Sequence, residues 1–290
     1  MKVLPLRVES REEAVARHEK FALVIPTLRE AANLPKLLAR VKSALDKVPI
    51  ESEIIVVDDD SRDGTREIVQ ELAKEDKNLR VLVREGQRGL AGAVLHGWRN
   101  CDATLLGVMD ADLQHPPELL PELLGAVLCG ADLAVGSRYK AGGSVGTWSP
   151  LRRLVSNSAT WLTRPLLDPK LRVRDPMSGY FVVQRECVEG LCFQSTGFKL
   201  LLELLVRARI EKVEEVCFAF GVREAGQSKA SMEVAREYLR LLVRLYSYRG
   251  ETAGVDALPD VLPLRKLDAD AVTGLSATLT TAEIKSLVLQ

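Results

Sequence analysis

The chain is short of most of what would mark a secreted, metal-caged or membrane-spanning protein. Its five cysteines, Cys101, Cys129, Cys187, Cys192 and Cys217, lie far apart with no Cys-x-x-Cys pair. That spacing argues against a disulfide framework and a structural zinc site. Histidine occurs three times, at His18, His96 and His115. Forty basic residues balance forty acidic ones, so the net charge is zero. No global field draws the molecule to nucleic acid or to an anionic surface, and any anion site has to be local. The first twenty residues mix Arg, Glu and Lys without an apolar run, and no stretch approaches the roughly 18 apolar residues of a membrane span. A cytoplasmic protein is expected, with no nucleic-acid partner.

What is present is ordinary globular composition, 47% hydrophobic over 290 residues, enough for one large domain and an appendage. From residue 21, short apolar runs alternate with helical periodicity. Phe21 to Ile25, Glu53 to Val57, Leu79 to Val83, Thr104 to Met109 and Asp132 to Gly136 read as strands, and their β-branched content supports this. Leu34, Leu37, Leu38, Val41 and Leu45 form one helical stripe, with Pro35 in the first turn. The fold class is therefore α/β, a mostly parallel central sheet covered by helices on both faces. Gly179 to Val183 and Lys212 to Phe220 read as further strands. Phe198 to Ala208 reads as a helix whose buried face is interrupted by Glu203.

Residues 137 to 150, with Gly142, Gly143, Gly146 and Pro150, have the composition of a loop, open to being either a lid or plain surface. A last amphipathic helix runs from Met232 to Tyr248, with Arg236, Arg240 and Arg244 every four residues among leucines and tyrosines. A membrane-surface helix and an ordinary core-packed helix both fit that pattern. After Gly250 the composition changes. This divides the chain into an extension over 1–19, a main domain over 20–250 and a tail over 251–290. In the tail, Thr280 and Glu283 have capping-box spacing.

In open parallel sheets, ligands bind beyond the carboxyl ends of strands. Two such places carry carboxylates: Asp58, Asp59, Asp60 and Ser61 after one strand, and Asp110, Ala111, Asp112, Leu113 and Gln114 after another. Two ionised carboxylates about 4 Å apart at an effective dielectric near 20 repel by roughly 4 kcal/mol. The second cluster thus calls for a cation, a shared proton or divergent geometry. Asp112 and the Gln114 amide are hard oxygen ligands suited to Mg²⁺ or Mn²⁺, and a solvated turn ahead of Pro116 and Pro117 is the other reading. Asp59, Ser61, Asp63 and Gly64 begin like a calcium loop, but Gln70 stands where Glu is required, so Asp63 and Gly64 read as a turn into a helix. Gly86, Gly89 and Gly92 do not match a dinucleotide fingerprint and read as a helix entry. A second Asp-Ala-Asp at Asp268 to Asp270 follows no strand and reads as surface.

Ile25-Pro26-Thr27 with Glu30, Val56 to Ser61 with Asp63, and Asp110 to Glu118 together resemble glycosyltransferase family two with a GT-A type fold. Within it, the dolichol-phosphate mannose synthases (polyprenyl-phosphate mannosyltransferases) are the nearest pattern. The similarity continues through Gly136 to Tyr139, Asp175 to Gly179, Gly197 to Lys199 and Phe220 to Lys229, covering about residues 20 to 250. The resemblance implies that Pro26, Glu30, Val57 and Asp59 line a nucleoside pocket and that Asp110, Ala111 and Asp112 meet the sugar nucleotide. It further implies that Asp112 and Gln114 hold the metal, and that Arg138, Arg152, Ser156, Arg223 and Lys229 receive the acceptor phosphate and the charged part of the donor. Asp110, Asp112 and Arg138 are the implied catalytic set. The family pattern has Tyr and Asn where this chain has Leu28 and Arg29.

The implied reaction is metal-dependent, inverting transfer of mannose from GDP-mannose to a polyprenyl phosphate, with peripheral membrane contact. A phosphate monoester is already anionic at neutral pH and needs no base, in keeping with so few histidines. Two other readings stand beside it: a UDP-sugar-dependent transferase acting on polyprenyl phosphate or a soluble sugar, and a non-catalytic nucleotide-sugar scaffold.

Overall fold

The computed structural model describes residues 19–144, 159–191, 193, 199–219, 221 and 232–248. Seven strands, β1 (Lys20–Thr27), β2 (Glu51–Asp58), β3 (Leu79–Val83), β4 (Leu105–Val108), β5 (Leu133–Ser137), β6 (Phe181–Gln184) and β7 (Val213–Cys217), form one sheet in the order β3-β2-β1-β4-β6-β5-β7. All neighbours are parallel except β6, which runs antiparallel to both β4 and β5. The helices are α1 (Leu34–Leu45), α2 (Thr65–Leu72), α3 (Leu90–Arg99), α4 (Leu120–Leu128), a single turn α5 (Arg185–Val188), α6 (Leu200–Arg207) and α7 (Met232–Tyr248). The expected mostly parallel α/β architecture is what forms.

Alternation along each central strand feeds two apolar layers, because successive side chains point to opposite faces. Phe21, Leu23 and Ile25 of β1 join Ile54 and Val56 of β2 against α1, α2 and α4. Ala22 and Val24 join Ile55 and Val57 against α3 and α6, and Leu241, Leu242 and Leu245 of α7 enter this second layer. The expected α1 stripe, Leu34, Leu37, Leu38, Val41 and Leu45, is buried throughout. Asp63 and Gly64 make the expected turn. Gly64 sits at φ +89°, and the Asp63 carboxylate accepts from the Thr65 amide and hydroxyl.

Two expectations need correcting. The run from Lys212 to Phe220 is not one strand; β7 stops at Cys217, and Ala219 makes only an isolated bridge to Ser144. Glu203 does not interrupt α6. It is 1% exposed and pairs with Arg207 one turn on, so the helix buries a neutralised pair instead of a lone charge. Residues 145–150, the tail with Thr280, Glu283 and the second Asp-Ala-Asp, and the amino-terminal extension lie outside the described residues.

Helix α3 lies close to the sheet at Gly97, where an added Cβ would sit 2.6 Å from one methyl of Val24 and 2.8 Å from the other. Both are fully buried in the layer that also holds Trp98, whose ring meets Phe181 edge-on at 6.3 Å. Gly97→Ala gains helix propensity of about 1 kcal/mol but overpacks this contact at a cost of roughly 1–3 kcal/mol. A net loss of up to about 2 kcal/mol is expected in urea unfolding.

Candidate active site

Parallel strands bring their carboxyl ends to one edge, so the loops after β1, β2 and β4 meet there. The register is tight: the Asp59 amide donates to the Thr27 carbonyl at 3.1 Å, the Arg29 amide to the Ser61 hydroxyl at 2.8 Å, and the Ala31 amide to Asp63 at 3.2 Å. Each of the three loops also holds a non-glycine residue in the left-handed region: Arg29 at φ +64°, Asp60 at +56° and Leu113 at +62°. That conformation costs roughly 1–2 kcal/mol per residue, and such strain gathers where structure serves a site. Arg29 stands where the family pattern has Asn, a residue that enters this region more readily.

Asp58 is 1% exposed and is a staple. Its carboxylate accepts from the Thr27 hydroxyl (3.0 Å), the Ser61 hydroxyl (2.6 Å) and the Ser61 amide (2.8 Å). Asp59 is handled differently. Oδ1 accepts from Arg84 Nη1 at 2.7 Å and Oδ2 from the Gly89 amide at 2.8 Å. Burial pushes the Asp59 carboxyl up, and the Arg84 charge pulls it back.

The loop after β4 hangs on His115. Its Nδ1 accepts the Asp110 amide hydrogen at 3.3 Å, and its ring stacks on Tyr180 at 5.1 Å with Phe218 edge-on at 5.7 Å. The Tyr180 hydroxyl donates to the Pro116 carbonyl at 3.0 Å. Burial drives the His115 imidazole down to about 4, which keeps it neutral and leaves Nδ1 able to accept. Inside this clamp the Gln114 amide donates to Asp112 Oδ1 at 3.1 Å, and Gln114 Nε2 donates to the Gly221 carbonyl at 3.2 Å. The second bond turns the Gln114 amide oxygen away from Gly221. Asp112 is 7% exposed, whereas the Asp110 side chain is 34% exposed. Gly179 lies against Asp110: a Cβ there would come 2.8 Å from Oδ2 and displace the carboxylate.

On the far side of that loop, Arg138 follows β5 and forms a fork with Asp175, Nε to Oδ2 and Nη2 to Oδ1, both at 2.8 Å. Asp175 is fully buried, and its amide and that of Arg174 donate to Glu215 of β7. Lys199 lies in the field of the same group. Burial lowers its pKa, the Arg138 charge lowers it further, and Asp175 and Asp110 oppose the shift. Next to the Arg138–Asp175 pair opens a cavity of about 700 Å³, lined by Tyr139, Trp161, Arg164, Val173, Arg174 and Pro176 among others.

The model of Glycosyl transferase family 2 matches residues 22–192, more than half of the chain. The chain belongs to that family. Among curated relatives, the dolichol-phosphate mannosyltransferase of Pyrococcus furiosus is 43% identical over 80% of this chain and 65% of its own length. The chain thus spans just under two thirds of that relative. The dolichol-phosphate mannosyltransferase of Mycosarcoma maydis is 39% identical over 81% of each protein. Among solved structures, glucosyl-3-phosphoglycerate synthase of Mycobacterium tuberculosis, in complex with Mn²⁺, UDP-glucose and phosphoglyceric acid, aligns with TM-score 0.62. It is 20% identical and covers 83% of this chain and 84% of its own, a likeness of fold. The fold is thus the GT-A-like α/β fold, and membership of family 2 makes the chain a glycosyltransferase.

Pro26, Glu30, Asp59, Asp110, Ala111, Asp112 and Gln114 all fall on the three meeting loops or at their strand ends. Glu30 accepts from Asn33 Nδ2 at 2.7 Å and opens α1. Val57 is fully buried in the sheet, main chain included, between Pro26 of β1 and Leu82 of β3. Arg138 lies beyond the Asp110 loop and is held by Asp175. Arg152, Ser156, Arg223 and Lys229 lie outside the described residues. Reading from sequence passed over the roles of Arg84, His115, Asp175 and Lys199. Arg84 and Arg138 both follow strand ends, so the strand-end rule could have flagged Arg84. The partnership of Arg138 with Asp175 spans 37 residues and has no local signature.

No group of three His, Cys, Asp or Glu side chains forms a metal cage among the described residues. Asp112 and Gln114, joined by the bond from the Gln114 amide to Asp112 Oδ1, carry hard oxygen donors of the kind that suit Mg²⁺ or Mn²⁺. The Gly179 contact keeps space at the Asp110 carboxylate that a Cβ would fill. Removing one partner of a buried pair leaves an uncompensated charge at a cost of about 3–5 kcal/mol. Asp175→Ala should lower unfolding free energy by about that amount in urea titration, with Arg138→Met falling less because the residual carboxylate can protonate.

Proposed function

We propose that the protein transfers mannose, with inversion, from GDP-mannose to a polyprenyl phosphate such as dolichyl phosphate. The observation that carries this reading is the pairing, at one edge of the sheet, of an oxygen half-site at Asp110, Asp112 and Gln114 with cations at Arg138 and Lys199. Acidic groups suit a metal-bound diphosphate; fixed cations suit a second anion. The names of the relatives, dolichol-phosphate mannosyltransferases, give the same sugar and the same acceptor.

In this reading Pro26 and Glu30 border the nucleoside, with Asp59 at its base. Asp112 and Gln114 hold Mg²⁺ or Mn²⁺, which when bound stabilises the negative charge that builds on the departing nucleoside diphosphate. Asp110 and Ala111 lie against the sugar. Arg138, its plane set by the fork to Asp175, orients the acceptor phosphate, and Lys199 adds a second charge. Arg152, Ser156, Arg223 and Lys229 complete the anion-binding set. A phosphate monoester with second pKa near 6 is anionic at neutral pH and attacks without a general base. The neutral, buried His115 is accordingly a clamp for the loop and takes no proton from the acceptor.

The hydrophobic tail of such an acceptor requires contact with a bilayer. Trp161 (66% exposed), Leu162, Leu239, Val243 (66%) and Tyr246 are large apolar side chains at the surface, accompanied by exposed Arg236, Arg240 and Arg244. The Tyr238 hydroxyl donates to the Ala159 carbonyl and ties α7 to the segment bearing Trp161. Leu241, Leu242 and Leu245 of α7 pack on the core, as an ordinary helix would, while its outward face is apolar and basic, which supports the interfacial reading. Among the described residues no helix is long and apolar enough to cross a membrane.

Purified protein with Mn²⁺ or Mg²⁺, a panel of nucleotide sugars and a short polyprenyl phosphate should release GDP from GDP-mannose only when the lipid phosphate is present. Release from UDP-sugars instead, or turnover with a sugar alcohol, would overturn the assignment. Asp112→Ala and Gln114→Ala should each lower kcat/KM by about 10²–10³, the scale for losing stabilisation of a leaving group's charge. For the bilayer contact, Trp161→Ser combined with Val243→Ser should weaken co-flotation with anionic vesicles by about tenfold, through loss of buried apolar area.

A further inference from the structure

Arg84 is a charged side chain that the mechanism above does not use, yet it is built into the molecule with unusual care. It is 8% exposed and stands directly after β3, with its amide donating to the Asp58 carbonyl at 2.8 Å. From there Nη1 reaches both Asp59 Oδ1 (2.7 Å) and the Gly89 carbonyl (3.1 Å), while Nε and Nη2 reach Gln87 Oε1 at 3.4 and 3.3 Å. The guanidinium lies against the first turn of α3 at Gly92, where a Cβ would come within 2.6 Å of Nη2. Gly89, at φ +126°, closes the ring by donating its own amide to Asp59 Oδ2. One arginine therefore joins the end of β2, the end of β3 and the start of α3 around a single carboxylate.

We propose that Arg84 is a positioning residue for the donor nucleotide: together with the Gly89 amide it fixes the Asp59 carboxylate, so that Asp59 can accept from the base. This rests on the donor reading above, in which Asp59 borders the nucleoside. Each carboxylate oxygen has two lone-pair sites, and the bonds from Arg84 and Gly89 take one on each. One acceptor site on each oxygen remains, and guanine, with two adjacent N–H donors on one edge, can use both where uracil has a single N–H. The charged and titratable groups that act on Asp59 are Arg84, Asp58 and, more weakly, His96 of α3. Burial and Asp58 favour the protonated carboxyl; Arg84 opposes both. A protonated Asp59 offers one acceptor fewer and a donor of its own, which clashes with a base edge made of donors.

The test measures GMP and UMP binding by calorimetry, in chelator without metal, from pH 5.5 to 8.5, for the parent, Arg84→Lys, Arg84→Met and Asp59→Asn. The parent should bind GMP with little pH dependence. Arg84→Met should bind it at least tenfold more weakly at neutral pH and recover as pH rises, because its Asp59 then has to lose a proton unaided. Asp59→Asn should be weak at every pH, and Arg84→Lys intermediate. In steady-state assays Arg84→Met should raise KM for the donor far more than it lowers kcat. If Arg84→Met does not fold, as judged by its melting transition, Arg84→Lys decides through the same pH profile. A flat, parent-like GMP profile in the Arg84 variants, or a fall in kcat with KM unchanged, would overturn the inference. If the parent binds UMP and not GMP, the donor reading is wrong, while the same Arg84 dependence measured with UMP would uphold the role of Arg84.

Discussion

Carboxylates crowded at the end of a parallel sheet repel one another, and the way each is neutralised shapes this molecule. Asp58 is satisfied by the hydroxyls of Thr27 and Ser61 and by a main-chain amide. Asp59 is matched by Arg84, and Asp175 by Arg138. These are three different solutions within one edge of the sheet, and each ties together elements distant in sequence. Asp110 and Asp112 are held on a loop whose clamp, His115, is neutral and contributes no compensating charge.

The same clamp uses two of the chain's few aromatic residues, Tyr180 and Phe218. Tyr180, Phe218 and the His115 ring pack face to face and edge to face, burying an imidazole whose one acceptor nitrogen is then spent on the Asp110 amide. Left-handed residues on all three loops add a strain of a few kcal/mol, which the two apolar layers beneath the sheet offset. Rigidity at the loops is thus drawn from burial elsewhere. The site's geometry is over-determined by the sheet, so its loops keep conformations that they would not adopt alone.

Much of this was legible beforehand because it is local. Alternating runs located the seven strands to within a residue or two, except where Lys212 to Phe220 read as continuous and the chain in fact leaves the sheet after Cys217. The leucine stripe of α1 and the Asp63-Gly64 turn follow from spacing and from the freedom of glycine at positive φ. The strand-end rule found both acidic clusters. It could not tell Asp58, a staple, from Asp59, a partner of Arg84, since the two adjacent residues are chemically identical. Glu203 misled for the same reason: its partner Arg207 lies one turn away, but only burial shows that the two need each other.

By itself the order of residues determined the α/β class, the faces of the helices and the oxygen-rich loop after β4, since each depends on neighbours within a few positions. Tertiary structure decided which charges meet. Arg84 finds Asp59 across 25 positions and Arg138 finds Asp175 across 37, because β-strand order brings remote loops side by side. Coulomb attraction chooses partners only among groups that packing has already brought within a few ångströms, and no periodicity in the chain encodes that proximity.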